Sequence, residues 1–373
     1  MMLLVVLAAC DPTIKDDTAA VPAWGLPLPA GFPEPNVPAE NPATPEKFEL
    51  GRHLFYDTRL SGNETQACSD CHDPTIAFAD GEITPVGSTG DIVPRNSMAL
   101  VNVAWNATYT WPNPALTSLE EQILVPMFAE FPTELGLTGK EADALARIEA
   151  DPLYDPLFAA AFPDDDAPVS VENVVYGLAT FVRGLTGAAA PYDRYAAGDT
   201  AAMTAEARRG MALFFGETTE CYHCHAGPTF SASFVSASAP TTELAFFNTG
   251  LYNIGGTGAY PPENPGLYAT TGDPEDMGRF RSPTLRNLRW TAPYMHDGSI
   301  ATLVDVLEHY NDGGRTIAEG DYAGVGAENP YKHPLVKPLA LTDTEKAELL
   351  AFLDALNDEE FVANAAYVDP FAE

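Results

Sequence analysis

Most of the reactive chemistry in this sequence lies in two pentads, Cys68-Ser69-Asp70-Cys71-His72 and Cys221-Tyr222-His223-Cys224-His225. Each is C-x-x-C-H, the spacing at which c-type haem is attached. Two thiols three positions apart can add to the two vinyl groups of one porphyrin, and the adjacent histidine then meets the iron as proximal ligand. A zinc site made from all four cysteines would need the pairs to converge across the chain, and it leaves the repeated histidine without a task. A thioredoxin-like dithiol needs a βαβ context, which is missing. Cys68, Cys71, Cys221 and Cys224 are therefore read as haem-attachment residues, and His72 and His225 as iron ligands.

The elements that must position these pentads are duplicated. Gly51-x-x-Leu54-Phe55 precedes the first and Gly210-x-x-Leu213-Phe214 the second. Both close a short helix opened by a threonine N-cap, Thr44 or Thr204, with Pro45 at the favoured first helical position. After each pentad comes a long irregular stretch and then an amphipathic helix, marked by Leu178, Phe181 and Leu185 or by Leu349, Phe352 and Leu356. Thr342 and Glu345 form a capping box for the last. The pattern predicts a mainly α fold of two tandem cytochrome c-like domains, each with one covalent haem and long loops. They span residues 42–196, which hold the first pentad, and 197–373, which hold the second, and they join near Pro191–Gly198.

The chain has 373 residues, with 19 Lys+Arg against 53 Asp+Glu and a formal net charge of −34. Such a surface repels phosphate backbones and anionic headgroups, which excludes nucleic acid as a partner. The 33 prolines and 29 glycines fit long irregular connections. Residues 1–41 read as a signal and tether. The apolar run Met1–Ala9 ends at Cys10, similar to a bacterial lipoprotein box, which implies a periplasmic protein anchored by lipid on Cys10. A shortened ordinary export signal would give the same compartment without the anchor.

Beyond the pentads, the sequence resembles the di-haem cytochrome c peroxidase/MauG superfamily over roughly residues 40 to 360. Pro94-Arg95-Asn96 followed by Leu100-Val101-Asn102, Asn106 and Trp111 looks like the segment that carries the family's inter-haem tryptophan, which makes Trp111 the implied electron relay. Gln122, Pro126 and Glu130-Phe131-Pro132-Thr133-Glu134-Leu135-Gly136 resemble the distal segment over the peroxide-binding haem. With a two-residue insertion, Glu134 takes the place of the family's distal acid, Glu130 is its rival, and Gln122 is a supporting hydrogen-bonder. Pro283-Thr284-Leu285-Arg286-Asn287 through Thr291-Ala292-Pro293-Tyr294-Met295-His296-Asp297-Gly298 is similar to the family's C-terminal signature. It implies a Ca²⁺ held by the Asn96 side chain and the Thr291 and Pro293 carbonyls, oxygen ligands that suit a hard cation.

Two positions set this sequence apart from ordinary di-haem peroxidases. Fourteen residues past His296, where those enzymes carry a methionine ligand, stands Tyr310, as in MauG. A phenolate stabilises ferric and higher iron, so the resemblance implies a second haem that is hard to reduce; Met295 is an alternative ligand. Sixteen residues past His72, where the peroxidases place a gating histidine, stands Ser88, which implies an open first haem. The remaining His53, His223 and His309 read as surface residues or haem-propionate partners.

The run from Gly51-Arg52-His53-Leu54-Phe55-Tyr56-Asp57 to Met295-His296-Asp297-Gly298-Ser299-Ile300 looks most like the MbnH branch, the di-haem enzymes of methanobactin-type operons. That resemblance implies a hydrogen-peroxide-dependent oxidoreductase in which a high-valent di-haem state oxidises a residue, tryptophan to kynurenine, on a copper-binding MbnP-like partner. Trp290 is the candidate exit for electrons. The alternatives are a peroxidase fed by an electron-donor protein, a small cytochrome or cupredoxin, and a plain electron-transfer cytochrome.

Overall fold

The computed structural model describes residues 25–240 and 244–372; Cys10 and the rest of the apolar leader lie outside them. The described residues are mainly helical. Helices are α1 (Pro45–Phe55), α2 (Leu119–Phe128), α3 (Glu141–Glu149), α4 (Tyr154–Ala161), α5 (Val171–Gly184), α6 (Pro191–Ala196), α7 (Ala205–Phe214), α8 (Tyr268–Thr271), α9 (Leu303–Asn311), α10 (Asp343–Asp354) and α11 (Glu359–Val362). Two antiparallel two-stranded ribbons complete the fold: β1 (Phe246–Phe247) with β2 (Phe280–Arg281), and β3 (Thr316–Ile317) with β4 (Gly324–Val325). No described helix is long and apolar enough to cross a membrane.

The expected caps form. The Thr44 hydroxyl accepts from Lys47 N at 3.2 Å, and the Thr204 hydroxyl from Ala207 N at 3.0 Å. Thr342 and Glu345 cap α10 reciprocally, satisfying two helix-end donors. Leu178 and Phe181 are buried on α5, as are Leu349 and Phe352 on α10; Leu185 and Leu356 fall just past the helix ends but are buried as well.

One construction occurs twice. α1 crosses α5 so closely that a Cβ on Gly51 would sit 2.0 Å from the Gly177 carbonyl oxygen, and α7 crosses α10 with Gly210 against the Glu348 carbonyl. Only glycine permits that approach. Leu50, Leu54, Phe55, Phe78, Leu178 and Phe181 form the first core; Ala207, Phe214, Phe230, Leu349 and Phe352 form the second. A third cluster holds Trp111, Leu251, Tyr252, Tyr260, Phe280 and Ile300.

The connections differ from their sequence reading. The stretch that reads as a tether is packed from Gly25 onward: Phe32 lies 4.7 Å from Trp105, whose indole N–H donates to the Pro33 carbonyl at 2.8 Å. The joint near Pro191 is itself helix α6, fixed by a two-pronged contact of the buried Arg286 guanidinium with Asp193 at 2.8 and 2.9 Å. The chain's last turns return to the first core, where Phe361 and Tyr367 are buried and the Tyr367 hydroxyl donates to the Thr186 carbonyl at 2.9 Å.

Candidate active site

Each pentad opens as a single 3-10 turn, Cys68–Asp70 or Cys221–His223, which sets the two thiols and the following histidine around one space. The histidines are oriented alike. His72 Nδ1 lies 2.9 Å from the Phe78 carbonyl, and His225 Nδ1 lies 3.0 Å from the Phe230 carbonyl. Donation from Nδ1–H leaves the Nε2 lone pair for a metal. Both carbonyls are aimed by a left-handed residue, with φ of 61° at Phe78 and 52° at Phe230, a strained conformation for a bulky side chain. Burial lowers the pKa of both imidazoles and favours the neutral, ligating form.

Around His72 the structure forms a largely apolar cavity with about 1010 Å³ of empty space. Cys68, Cys71 and His72 line one side; Gln122, Pro126 and Glu134 come from α2 and the loop after it. Glu134 is fixed through its main chain, whose carbonyl accepts from Ser88 N at 2.8 Å. Burial raises its carboxyl pKa above the ordinary carboxylate value. Gln122 Oε1 is buried without a partner. Glu130 is exposed on the same loop and does not line the cavity.

A second cavity of about 600 Å³ adjoins the first. It is lined by Asn96, Trp111, Thr291, Pro293 and Met295, among others. The Trp111 indole N–H donates to the Asn96 carbonyl at 2.9 Å. The Asn96 amide donates to the Glu82 carbonyl at 2.8 Å, which leaves its own oxygen as an acceptor. Among the described residues, no donor occupies the Thr291 or Pro293 carbonyl. On α9, Tyr310 is half-buried; desolvation and the neighbouring Cys224 and Cys221 thiols push its pKa up, which puts the phenol close to the second pentad. Met295 instead packs in the third cluster.

Sequence reasoning missed Arg281. It is buried on β2, lines both cavities and has no carboxylate partner among the described residues; its side-chain contacts are Met98 Sδ at 2.9 Å and the Thr110 carbonyl at 3.3 Å. Desolvation lowers its pKa to about 10. An unpaired buried guanidinium is costly unless an anion meets it, and haem brings carboxylates to such a place. With the orphaned Gln122 oxygen and the free Nε2 atoms, the residues present fit covalent haem. No spacing rule would have marked Arg281. His309 also departs from its surface reading: it is buried, with both ring nitrogens unpartnered.

Thiol pairs with a proximal histidine, in helical cradles built alike, are the site of a c-type haem protein. The sequence profile described as "Di-haem cytochrome c peroxidase" matches residues 45–201. The methylamine utilization protein MauG of Methylorubrum extorquens is 35% identical over 86% of this chain and 81% of its own length. Cytochrome-c peroxidase IdrP1 of Denitromonas iodatirespirans is 34% identical over 96% of this chain and 93% of its own. Among solved structures, a MauG-like protein associated with microbial copper homeostasis superposes with a TM-score of 0.91 at 47% identity, covering 94% of this chain and all of that one. The di-haem peroxidase BthA of Burkholderia thailandensis shares the fold, with a TM-score of 0.63 at 22% identity over 88% of this chain and 90% of that one. The chain belongs to the di-haem cytochrome c peroxidase/MauG family. It is an enzyme of the di-haem peroxidase type, and the family carries two c-type haems.

Proposed function

We propose that this protein is a MauG-type, peroxide-dependent oxidase that removes electrons from a residue on a partner protein. The observation that carries the reading is Tyr310 on α9, close to Cys221 and Cys224, where its oxygen together with His225 would hold the second haem's iron. When bound, the two haems would supply a peroxide-reactive iron on His72 and a second iron able to store an oxidising equivalent. The chain's own residues do the rest. Glu134, partly desolvated in the first cavity, takes the proton from the attacking end of hydrogen peroxide and returns it to the leaving oxygen. Gln122 offers its unpartnered oxygen to the peroxide proton. Ser88, in place of a gating histidine, leaves that cavity accessible. Trp111, in the lining of the second cavity, carries electrons between the two haem sites.

In this reading the two domains are residues 42–196 and 197–373. A Ca²⁺ bound by Asn96, Thr291 and Pro293 stiffens the seam between them. The protein is periplasmic and anchored through Cys10. The MbnH branch, and with it tryptophan oxidation on a copper-binding partner, is supported by the 47% identity to the MauG-like copper-homeostasis protein. The likeness to cytochrome-c peroxidase IdrP1 along nearly the whole chain favours a second reading, a peroxidase fed by a small electron-transfer protein.

One experiment separates them. Stoichiometric peroxide is added to the as-isolated diferric protein without reductant, and its optical and EPR spectra are followed. Rapid loss of both ferric signals is expected. A protein that reacts only after one haem has been reduced is an electron-fed peroxidase.

A further inference from the structure

Trp111 shares its apolar cluster with a line of aromatic rings that runs outward. Phe280 stacks on His296 at 3.6 Å between centroids, and Tyr260 lies 6.3 Å from Phe280 and 6.4 Å from His296. From Tyr260 the next ring is Tyr252 at 5.4 Å, and from Tyr252 the next is Tyr322 at 5.8 Å. Tyr260 and Tyr252 are buried, whereas Tyr322 is 38% exposed on the loop between β3 and β4. The candidate exit Trp290 belongs elsewhere: it packs against the first core under the Arg289 guanidinium.

The hydroxyls along this line are not equivalent. A phenol that loses an electron becomes a strong acid and needs a base within hydrogen-bond reach. Tyr252 has one, donating to Asp297 Oδ2 at 2.7 Å, and Tyr322 has another, donating to Glu263 Oε1 at 2.9 Å. The Arg315 guanidinium lies 5.8 Å from the Tyr252 ring centre. A cation there opposes positive charge on the ring, so oxidation of Tyr252 must proceed with loss of its proton to Asp297. Tyr260 donates only to the Asn248 amide oxygen at 2.8 Å, a poor base. Its ring serves as a bridge between Trp111's cluster and the first tyrosine that can hold a radical.

We infer that Tyr260, Tyr252 and Tyr322 form an electron route from the surface to the Trp111 cluster, and that Tyr322 is where a protein electron donor makes contact. The inference rests on the peroxide-dependent reading above. In each hop Tyr322 gives up one electron inward and its proton to Glu263. A tyrosine or tryptophan of the donor then returns one electron, and Glu263 returns the proton. Each oxidised donor residue loses its proton to solvent, and two such electrons with two protons taken from solvent reduce one hydrogen peroxide to two waters, so the donor is oxidised and peroxide reduced. Exposed Glu263, which accepts from the Tyr322 hydroxyl, and exposed Glu319 and Asp321 on the same loop as Tyr322 make the contact acidic, so the donor residue sits in a basic patch.

The test uses the haem-loaded protein, without partner, treated with peroxide in the presence of a nitroso spin trap and then mapped by peptide mass spectrometry. Wild type is expected to carry the adduct on Tyr322. Tyr252→Phe, which keeps the ring but has no proton to lose, is expected to lack that adduct. Both Tyr252→Phe and the surface variant Tyr322→Phe are expected to retain the oxidised state roughly tenfold longer, with unchanged initial loss of the ferric signals. Adduct on Tyr322 in Tyr252→Phe, adduct on Trp290 alone, or an unchanged lifetime in Tyr322→Phe would overturn the route while leaving the peroxide reaction intact. Ferric signals that persist in wild type under peroxide would instead overturn the function on which the route rests.

Discussion

Gly51 on α1 faces the Gly177 carbonyl on α5, and the contact is one-sided. A Cβ on Gly51 would meet the Gly177 oxygen at 2.0 Å and the Phe181 Cβ at 2.8 Å, whereas a Cβ on Gly177 would meet nothing nearer than Leu50 at 3.4 Å. Two chemically identical substitutions therefore have opposite expectations. Gly51→Ala must push backbone away from backbone and is expected to cost about 3 kcal/mol. Gly177→Ala is expected to be neutral or to stabilise by up to about 1 kcal/mol through helix propensity. Thermal unfolding of the haem-loaded variants, followed by circular dichroism, measures both. Equal losses would mean that the helix pair is looser than described.

Glu134 predicts a pH profile. Burial raises its pKa, so in the proposed role the ionised form that would accept a proton is populated only above the ordinary carboxylate range. The rate of ferric-signal loss should rise with pH through that raised value. Glu134→Gln is expected to remove this limb and slow the reaction by about 10²–10⁴-fold, whereas Glu130→Gln leaves it unchanged. The stability sign is opposite to that of a salt-bridged acid. Between the unfolded and folded pKa the native state holds a proton that the unfolded chain has lost, so stability falls as pH rises through this interval. Glu134→Gln should flatten the slope.

His296 predicts a loss at the acid end. It is buried, stacked on Phe280, and desolvation pushes its pKa to about 4. Between pH 6.5 and 4 the unfolded chain binds a proton that the native ring refuses, so stability falls as pH falls. The loss is on the order of 2–3 kcal/mol at the lower limit. Denaturant midpoints across this range, compared with His296→Gln, measure the contribution; parallel curves would assign the acid sensitivity to other groups.

Under the proposed iron-ligand role of Tyr310, Tyr310→Met exchanges an anionic oxygen for a thioether. The second haem's reduction potential should rise by on the order of 0.1–0.3 V, and the diferric variant should no longer react with peroxide until reduced. Potentiometric titration followed in the Soret band measures the first, and stopped-flow mixing with peroxide the second. An unchanged potential would mean that Tyr310 does not meet the iron.

The sequence itself determined what depends on local spacing. Covalent attachment needs two thiols three apart and a histidine beside them, and helix caps need a threonine at the first turn; both are legible residue by residue. The duplicated Gly-x-x-Leu-Phe was readable as a repeat, although the reason for its glycines, a carbonyl of a distant helix, was not. Trp111, Glu134 and Tyr310 stood out only through likeness to relatives, because nothing in their immediate neighbours distinguishes them from core or surface residues.

The tertiary structure alone decided which residues meet across long separations. It packed Phe32 and Pro33 onto Trp105 and returned Phe361 and Tyr367 to the first core. It buried Arg281 between two cavities with no described carboxylate beside it, and it lined up Tyr260, Tyr252 and Tyr322. The physical reason is that a buried charge or a chain of rings is defined by what surrounds it, and those surroundings come from loops without periodicity. Spacing along the chain carries helices and covalent motifs, whereas desolvation and ring-to-ring distance exist only once the chain has folded.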